Sequence, residues 1–593
     1  MRQQLTRREA SKLRRIALVR LCVPVLLGIL LCGPAGHAPV VWAQRPEPGQ
    51  ASQGTALLAR VYYTDRASLE RLARELDVWE VQPTEGYLLA MLTPLQALSL
   101  ARAGLRLQVD LAGTAGLSRP RLPLPDQMSG IPAYPCYRTV EETYAALSRL
   151  ARQHPNLASW EDIGDSWDRL APGGPDGYDL FALVVTNRAS VVGKHRLFVV
   201  AETHAREYAT AELAARFAEY LVESYGSDPE VTWLLDYAEV RVLPLANPDG
   251  RKLAETGSYW RKNTDSANGC DALYGTDLNR NYNFSWGGGS GDPCAETYQG
   301  PSAASEPETQ AIQRYVTSTQ GLTGSLTGAA PTRGARNRQP TSRNPRSLPT
   351  GLLLTLHSYG SLVLYPWGWS DAPPPDEIPL RTLGRKFGFY NGYSVRQAVA
   401  LYPTTGTTDD WAYGALGLAA YTFELGSAFF EDCGTFASET LPRNLPALLY
   451  AAKAAHRPFE SPSGPETLQI SLSPTAVLAG QPLTLTALAD DSRYWRDGLD
   501  DETAQPIAAA RYTIDSPSWV SGAVTRSLGV SDGQWDAPQE RLQATLPTAS
   551  LTPGRHVLLV ESQDAAGHWG VPGAAFFWVL PEARALLPLV GRR

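Results

Sequence analysis

Four apolar runs in this chain each break off into a polar loop, and that recurrence limits its possible folds more than any other feature. "LFVVAE" (197–202) runs into "THAREY", "VRVLPLA" (240–246) into "NPDG", "LLLTL" (352–356) into "HSYG", and "AAYTF" (419–423) into "ELG". Helical patterns lie between them, one with Leu213, Phe217, Tyr220 and Leu221 on a single face. Strands alternating with amphipathic helices predict an α/β fold, here a mixed central sheet flanked by helices. In such sheets, ligand sites gather beyond the carboxyl ends of the strands, which is where these loops stand.

At 593 residues the chain exceeds the roughly 250–300 residues at which one core stops growing, so several domains are expected. Seven basic residues from Arg2 to Arg20 precede the apolar run Leu21 to Cys32, and Val41-Trp42-Ala43 follows as a cleavage site. This order predicts a signal peptide over residues 1–43, export of the remainder, and no lasting membrane span. Residues 44–113 read as a small α/β unit with strands at 57–63, 86–92 and 105–110. A proline-rich linker covers 114–134. Its Arg119 and Arg121 suit a processing protease, and a plain spacer is the other reading. The box Thr139-Val140-Glu141-Glu142 opens a helix early in the main domain, 135–459. Within that domain, 319–350 reads as a flexible insert rich in arginine. After a linker at 460–465, the alternation in "PLTLTAL", "RYTID" and "HVLLVES" predicts an Ig-like β-sandwich over 466–582. A tail, 583–593, closes the chain, and nothing in the sequence identifies a partner for the sandwich.

A net charge of −7 gives no basic footprint for nucleic acid. Four cysteines remain after the signal, an even number in an exported chain, and disulfides are expected. Cys270 and Cys294 flank one glycine-rich loop and form the favoured pair, leaving Cys136 with Cys433.

Histidine is scarce, with eight in the chain. Two of them, His204 and His357, directly follow or end the apolar runs, and Glu207 lies three residues after His204. Two imidazoles and a carboxylate leave a fourth position of a tetrahedral Zn2+ open, the pattern of catalytic zinc sites. Asp277 in "GTDLNRN" suits the orienting of a ligand histidine. Asn279 and Arg280 make a fork suited to a carboxylate. Arg261 suits a developing oxyanion. Glu424, acidic at the end of an apolar run, reads as a general base or as half of a buried ion pair. Arg206, between two ligands, reads as a local partner.

These stretches, with "YWRKN", "CAETYQGPSAASEPET" and "YPTTGTTDDWAYG", follow one another in an order that resembles zinc metallocarboxypeptidases of the carboxypeptidase A/B group, from about Pro135 to Phe459. The resemblance implies His204, Glu207 and His357 as zinc ligands and one Zn2+ per catalytic domain. It implies Arg261 as the residue polarising the scissile carbonyl, and Asn279 with Arg280 as binders of the substrate's terminal carboxylate. Tyr402 would close over the substrate. Glu424 would take the proton from the attacking water and pass it to the leaving amine. Asp409 falls at the floor of the side-chain pocket, which implies a preference for C-terminal Lys or Arg. Dual basic and apolar specificity, or an Asp409 that only caps its loop, are the alternatives. Residues 44–113 take the place of a propeptide. The implied substrates are peptide or protein C-termini. Two other readings are a peptidoglycan stem-peptide peptidase with a related zinc site, and an inactive adhesion protein, which the intact motif residues disfavour.

Overall fold

A computed structural model describes residues 56–117, 121–172, 174–190, 192–319, 350–495 and 504–581. The signal, Arg119, nearly all of the basic insert and the tail lie outside the described residues.

The N-terminal unit is an antiparallel sheet, β1 (Leu57–Tyr62), β2 (Asp77–Gln82), β3 (Tyr87–Leu92) and β4 (Leu107–Val109), in the order β2-β3-β1-β4. Two helices cross over it, Arg66–Glu75 and Pro94–Arg102. Each opens on a capping box, Asp65 with Ser68 and Thr93 with Gln96, which satisfies backbone donors that a helix start leaves orphaned. Val61, Leu72, Leu88 and Ala90 fill its core. Sequence reading found three of the four strands. The one it missed, β2, is an edge strand.

The main domain is built on β5 (Ala158–Asp165), β6 (Asp179–Val185), β7 (His195–Val200), β8 (Ala238–Leu243), β9 (Leu352–Ser358), β10 (Leu362–Tyr365), β11 (Ser394–Gln397) and β12 (Ala419–Leu425). Their order is β11-β10-β12-β9-β7-β8-β6-β5. The centre is parallel: β12 with β9, β9 with β7, and β7 with β8. Every residue of β9 is buried, as expected of a strand covered on both faces. Helices Val140–Gln153, Tyr208–Ser224, Glu377–Asn391 and Leu441–Ala454 pack against this sheet. The first is capped by Thr139, whose hydroxyl accepts from the Glu142 N–H while Glu142 accepts from Thr139 N–H.

Parallel direction puts the carboxyl ends of β7, β9 and β12 on one edge. His357 in β9 and Glu424 in β12 are register partners, so both side chains share a face. Two disulfides, Cys136–Cys433 and Cys270–Cys294, tie the loops as expected.

The C-terminal part is two sheets of four and five strands between Glu466 and Leu580. They share a core that includes Leu485, Leu542, Leu558 and Phe577. The contact with the main domain includes Lys386, whose buried Nζ lies 3.5 Å from Glu466 and 3.9 Å from the centre of the Tyr494 ring.

Candidate active site

β7 ends at Val200, and the chain turns through residues 201–207 before the helix Tyr208–Ser224 begins with Glu207 at its cap. That turn brings His204 and Glu207 together. His204 Nδ1 lies 2.8 Å from Glu207 Oε1, and His357 Nδ1 lies 3.0 Å from Glu207 Oε2. The two Nδ1 atoms are 3.1 Å apart. All three side chains are buried, and they are the one group among the described residues whose ligand atoms converge, within 4.8 Å, as a metal requires.

The far side of each imidazole is anchored. His204 Nε2 is 3.1 Å from Asp277 Oδ1. His357 Nε2 is 3.1 Å from Thr355 Oγ1 and 3.5 Å from Asn279 Nδ2. Both Nδ1 atoms therefore face each other and the carboxylate, an arrangement that fits a shared cation between them. Burial alone would raise the Glu207 carboxyl, yet the adjacent histidines hold it well below the usual carboxylate range.

Asp277 does more than orient a histidine. Its Oδ2 accepts from Arg261 Nη2 at 2.9 Å and Nε at 3.2 Å, and its Oδ1 accepts from the Asn279 N–H at 3.0 Å. Burial would raise its pKa, but Arg261, Arg280 and His204 outweigh that and hold it far down. Arg280 donates to the Asn279 carbonyl at 2.8 Å. Asn279 Oδ1 accepts from Thr408 N–H and Oγ1 at 3.0 and 3.1 Å, which locks the amide.

His204, Glu207, Arg261, Asn279, Arg280, Tyr402, Asp409 and Glu424 line one cleft of about 570 Å³. Burial first, and then Glu207, push the Glu424 carboxyl well above its ordinary value. Asp409 is 3% exposed. Its Oδ1 accepts from Asp410 N–H and its Oδ2 from the Thr422 hydroxyl, and no cation pairs with it among the described residues.

A second wall of the cleft comes from the N-terminal unit. Val78 to Thr84, from the edge strand β2 and the turn after it, line the same space. Arg206 turns out not to be a local partner. It is fully buried and donates to both oxygens of Asp77 in β2, at 2.7 and 2.6 Å. The guanidinium lies 4.2 Å from the centre of the Phe429 ring, and Trp79 of β2 stacks on Tyr259. Tyr402 packs against the hydrophobic core of the N-terminal unit. Sequence reading missed Asp77 and Trp79, because only tertiary contact makes either one part of this site. It also missed Thr404, Thr407 and Thr422 of the lining, although Thr404 and Thr407 stand in the quoted stretch beside Asp409.

The family model described as zinc carboxypeptidase matches residues 143–432. These residues form a zinc carboxypeptidase domain. His204, Glu207 and His357 are its zinc site. Carboxypeptidase A1 of Rattus norvegicus is 28% identical over 324 residues, covering 52% of this chain and 67% of that protein. Carboxypeptidase B of Bos taurus is 29% identical over 303 residues, covering 49% and 64%. The matched stretch thus spans about two thirds of these relatives' length. The crystal structure of carboxypeptidase A from Helicoverpa armigera shares the fold, with a TM-score of 0.52 at 21% identity, covering 68% of this chain and 98% of that one.

Proposed function

We propose that the protein is an exported zinc carboxypeptidase that releases single residues from peptide C-termini, with basic side chains preferred. The observation that carries this reading is a buried Asp409 without a countercharge, in the same cleft as the zinc site and Glu424. A buried lone carboxylate is costly, and a lysine or arginine side chain of the substrate would relieve it. Export is supported by two disulfides. No helix among the described residues is long and apolar enough to cross a membrane.

When bound, zinc supplies Lewis acidity toward the scissile carbonyl and lowers the pKa of water. The remaining steps belong to the chain. Arg280 and Asn279 hold the terminal carboxylate by charge-assisted hydrogen bonds. Arg261, its guanidinium set by Asp277, donates to the oxygen on which charge develops. The Glu424 carboxylate accepts a proton from the attacking water and returns it to the leaving nitrogen. Tyr402 closes the cleft over the bound residue.

The N-terminal unit acts in this reading as a cover. β2 and its turn occupy the substrate side of the cleft, pinned by Asp77 to Arg206, so the intact chain is expected to be held back until the linker is cut. The test is release of Arg and Phe from hippuryl-Arg and hippuryl-Phe, with and without a chelator, before and after cleavage of the linker. Absence of chelator-sensitive release in both forms would refute the reading.

A further inference from the structure

One cation on the cleft wall has no work assigned to it. Arg396 lies in β11, the edge strand of the central sheet, and lines the same cleft as Asp409. Its register partner in β10 is Leu364, whose own partner in β12 is Thr422. The row two positions away is Ser394, Leu362 and Glu424. Side chains two apart along a strand point to one face, so Arg396 stands on the face that carries Glu424. Gln397 points the other way and donates to the carbonyls of Trp367, Ser370 and Ala372.

The row of Arg396 leads to the side-chain pocket. At its far end the Thr422 hydroxyl donates to Asp409 Oδ2 at 3.2 Å. Neighbouring strands lie about 4.8 Å apart, so roughly 10 Å separates the backbones at Arg396 and Thr422. Leu364 stands between them in the row, and no ion pair joins Arg396 to Asp409 or to any other anion among the described residues. Arg396 is exposed, whereas Arg261 is held by Asp277 and Arg280 by the Asn279 carbonyl. A charge on an edge strand guards against stray pairing from either face, but only on this face does it meet the site.

The pocket thus has two poles, a buried carboxylate and a guanidinium one strand beyond Leu364. A lysine or arginine side chain satisfies the first and is repelled by the second, and a glutamate does the reverse. A side chain that ends in an ammonium and a carboxylate on one carbon satisfies both. Its ammonium meets Asp409, and its carboxylate meets the fork of Arg396. Granting the Asp409 pocket proposed above, we infer that the preferred C-terminal residue is a diamino dicarboxylic acid, and that Arg396 selects it over lysine. Diaminopimelate is the nearest such residue to lysine, differing by a carboxylate on the ε-carbon.

The experiment compares kcat/KM on hippuryl-Lys, hippuryl-Phe and hippuryl-meso-diaminopimelate acylated at its L-centre. It uses the full chain in whichever form, intact or cut at the linker, gives chelator-sensitive release. The wild type should prefer the diaminopimelate substrate to hippuryl-Lys by about tenfold, the order of one hydrogen-bonded charged contact. Arg396→Ala should abolish that preference by slowing the diaminopimelate substrate, with hippuryl-Lys cleaved as fast as before or faster, which also shows that the variant is folded. Arg396→Lys, which keeps the charge without the fork, should fall between. A wild type that cleaves hippuryl-Lys at least as fast as the diaminopimelate substrate overturns the inference while leaving the basic pocket standing. So does an Arg396→Ala variant with the wild-type ratio. Faster cleavage of hippuryl-Phe than of the other two would instead overturn the Asp409 reading, and with it this inference. The same holds if neither form releases any residue.

Discussion

Replacing Asp77 by alanine tests how the N-terminal unit is held over the cleft. In the docked chain, Arg206 is fully buried and Asp77 is 5% exposed, with both guanidinium–carboxylate contacts under 2.8 Å. Removing one partner of such a pair costs about 3–5 kcal/mol, because the other charge is left buried without compensation. The cost falls on the docked state, since undocking returns Arg206 to water. Glu296 also lies near enough to Arg206 to favour its charge, which points to the lower end. About 3 kcal/mol corresponds to a rise of roughly 10²-fold in the open population, at 1.4 kcal/mol per factor of ten. The assay is hydrolysis of hippuryl-Arg by the uncut chain, with the cut chain as the reference for full activity. Asp77→Ala should raise the uncut rate toward that reference, and Asp77→Asn, which keeps the Trp79 Nε1 contact, should raise it less. An uncut Asp77→Ala chain as slow as wild type, with equal rates after cutting, would refute the claim that this pair secures the cover. A wild-type chain already at full rate when uncut would refute the cover itself.

Three further outcomes are expected. Glu424→Gln should lower kcat by about 10²–10⁴-fold, the usual worth of a positioned acid–base group, with little change in KM, as steady-state kinetics on the cut chain would show. Asp409→Ala should shift the ratio of kcat/KM for hippuryl-Arg over hippuryl-Phe by roughly two orders of magnitude toward Phe, since truncating one side of a buried charge pair costs about 2–5 kcal/mol. Acid should loosen the seam at the β-sandwich, where His456 stacks on Trp519 and faces His195. Burial, then His456, holds His195 down to about 3, and burial, then Arg457, holds His456 down to about 4, from an ordinary 6.5. Both imidazoles are thus neutral when folded and charge when unfolded. Their contribution is complete above about pH 6.5 and is lost as pH falls toward 4. Thermal unfolding from pH 7.5 to 4 should show a steep loss that His456→Phe makes shallower, and parallel curves for the two proteins would contradict this.

The zinc ligands and the place of Glu424 in the cleft were legible in the sequence because His357 and Glu424 lie near the ends of apolar strands and His204 stands in the turn just beyond one. His204 and Glu207 are also close in sequence, so one turn brings them together. The two disulfides were legible for a related reason, since Cys270 and Cys294 bracket a single loop and leave the other pair no choice. The capping box at Thr139 needs only residues three apart, and it formed as read. The residue types and their places at strand ends are local, but His357 reaches His204 across 153 positions and Cys136 reaches Cys433 across 297 only through packing.

Arg206 shows where that legibility ends. Beside two ligands it reads as their neighbour, yet its partner is Asp77, 129 positions away, on a strand that pattern reading passed over. The segment Asp77–Gln82 has only one fully buried residue, so it carries little of the alternation by which a half-buried strand announces itself. It becomes a strand by pairing with β3, and a wall of the cleft by docking on the main domain. The sequence by itself determined which side chains bring chemistry to this protein, since residue identity and nearness to the end of an apolar run are local properties. What covers the site and what shapes its pocket were decided by contacts between segments far apart in the chain, whose energies exist only once the domains have packed.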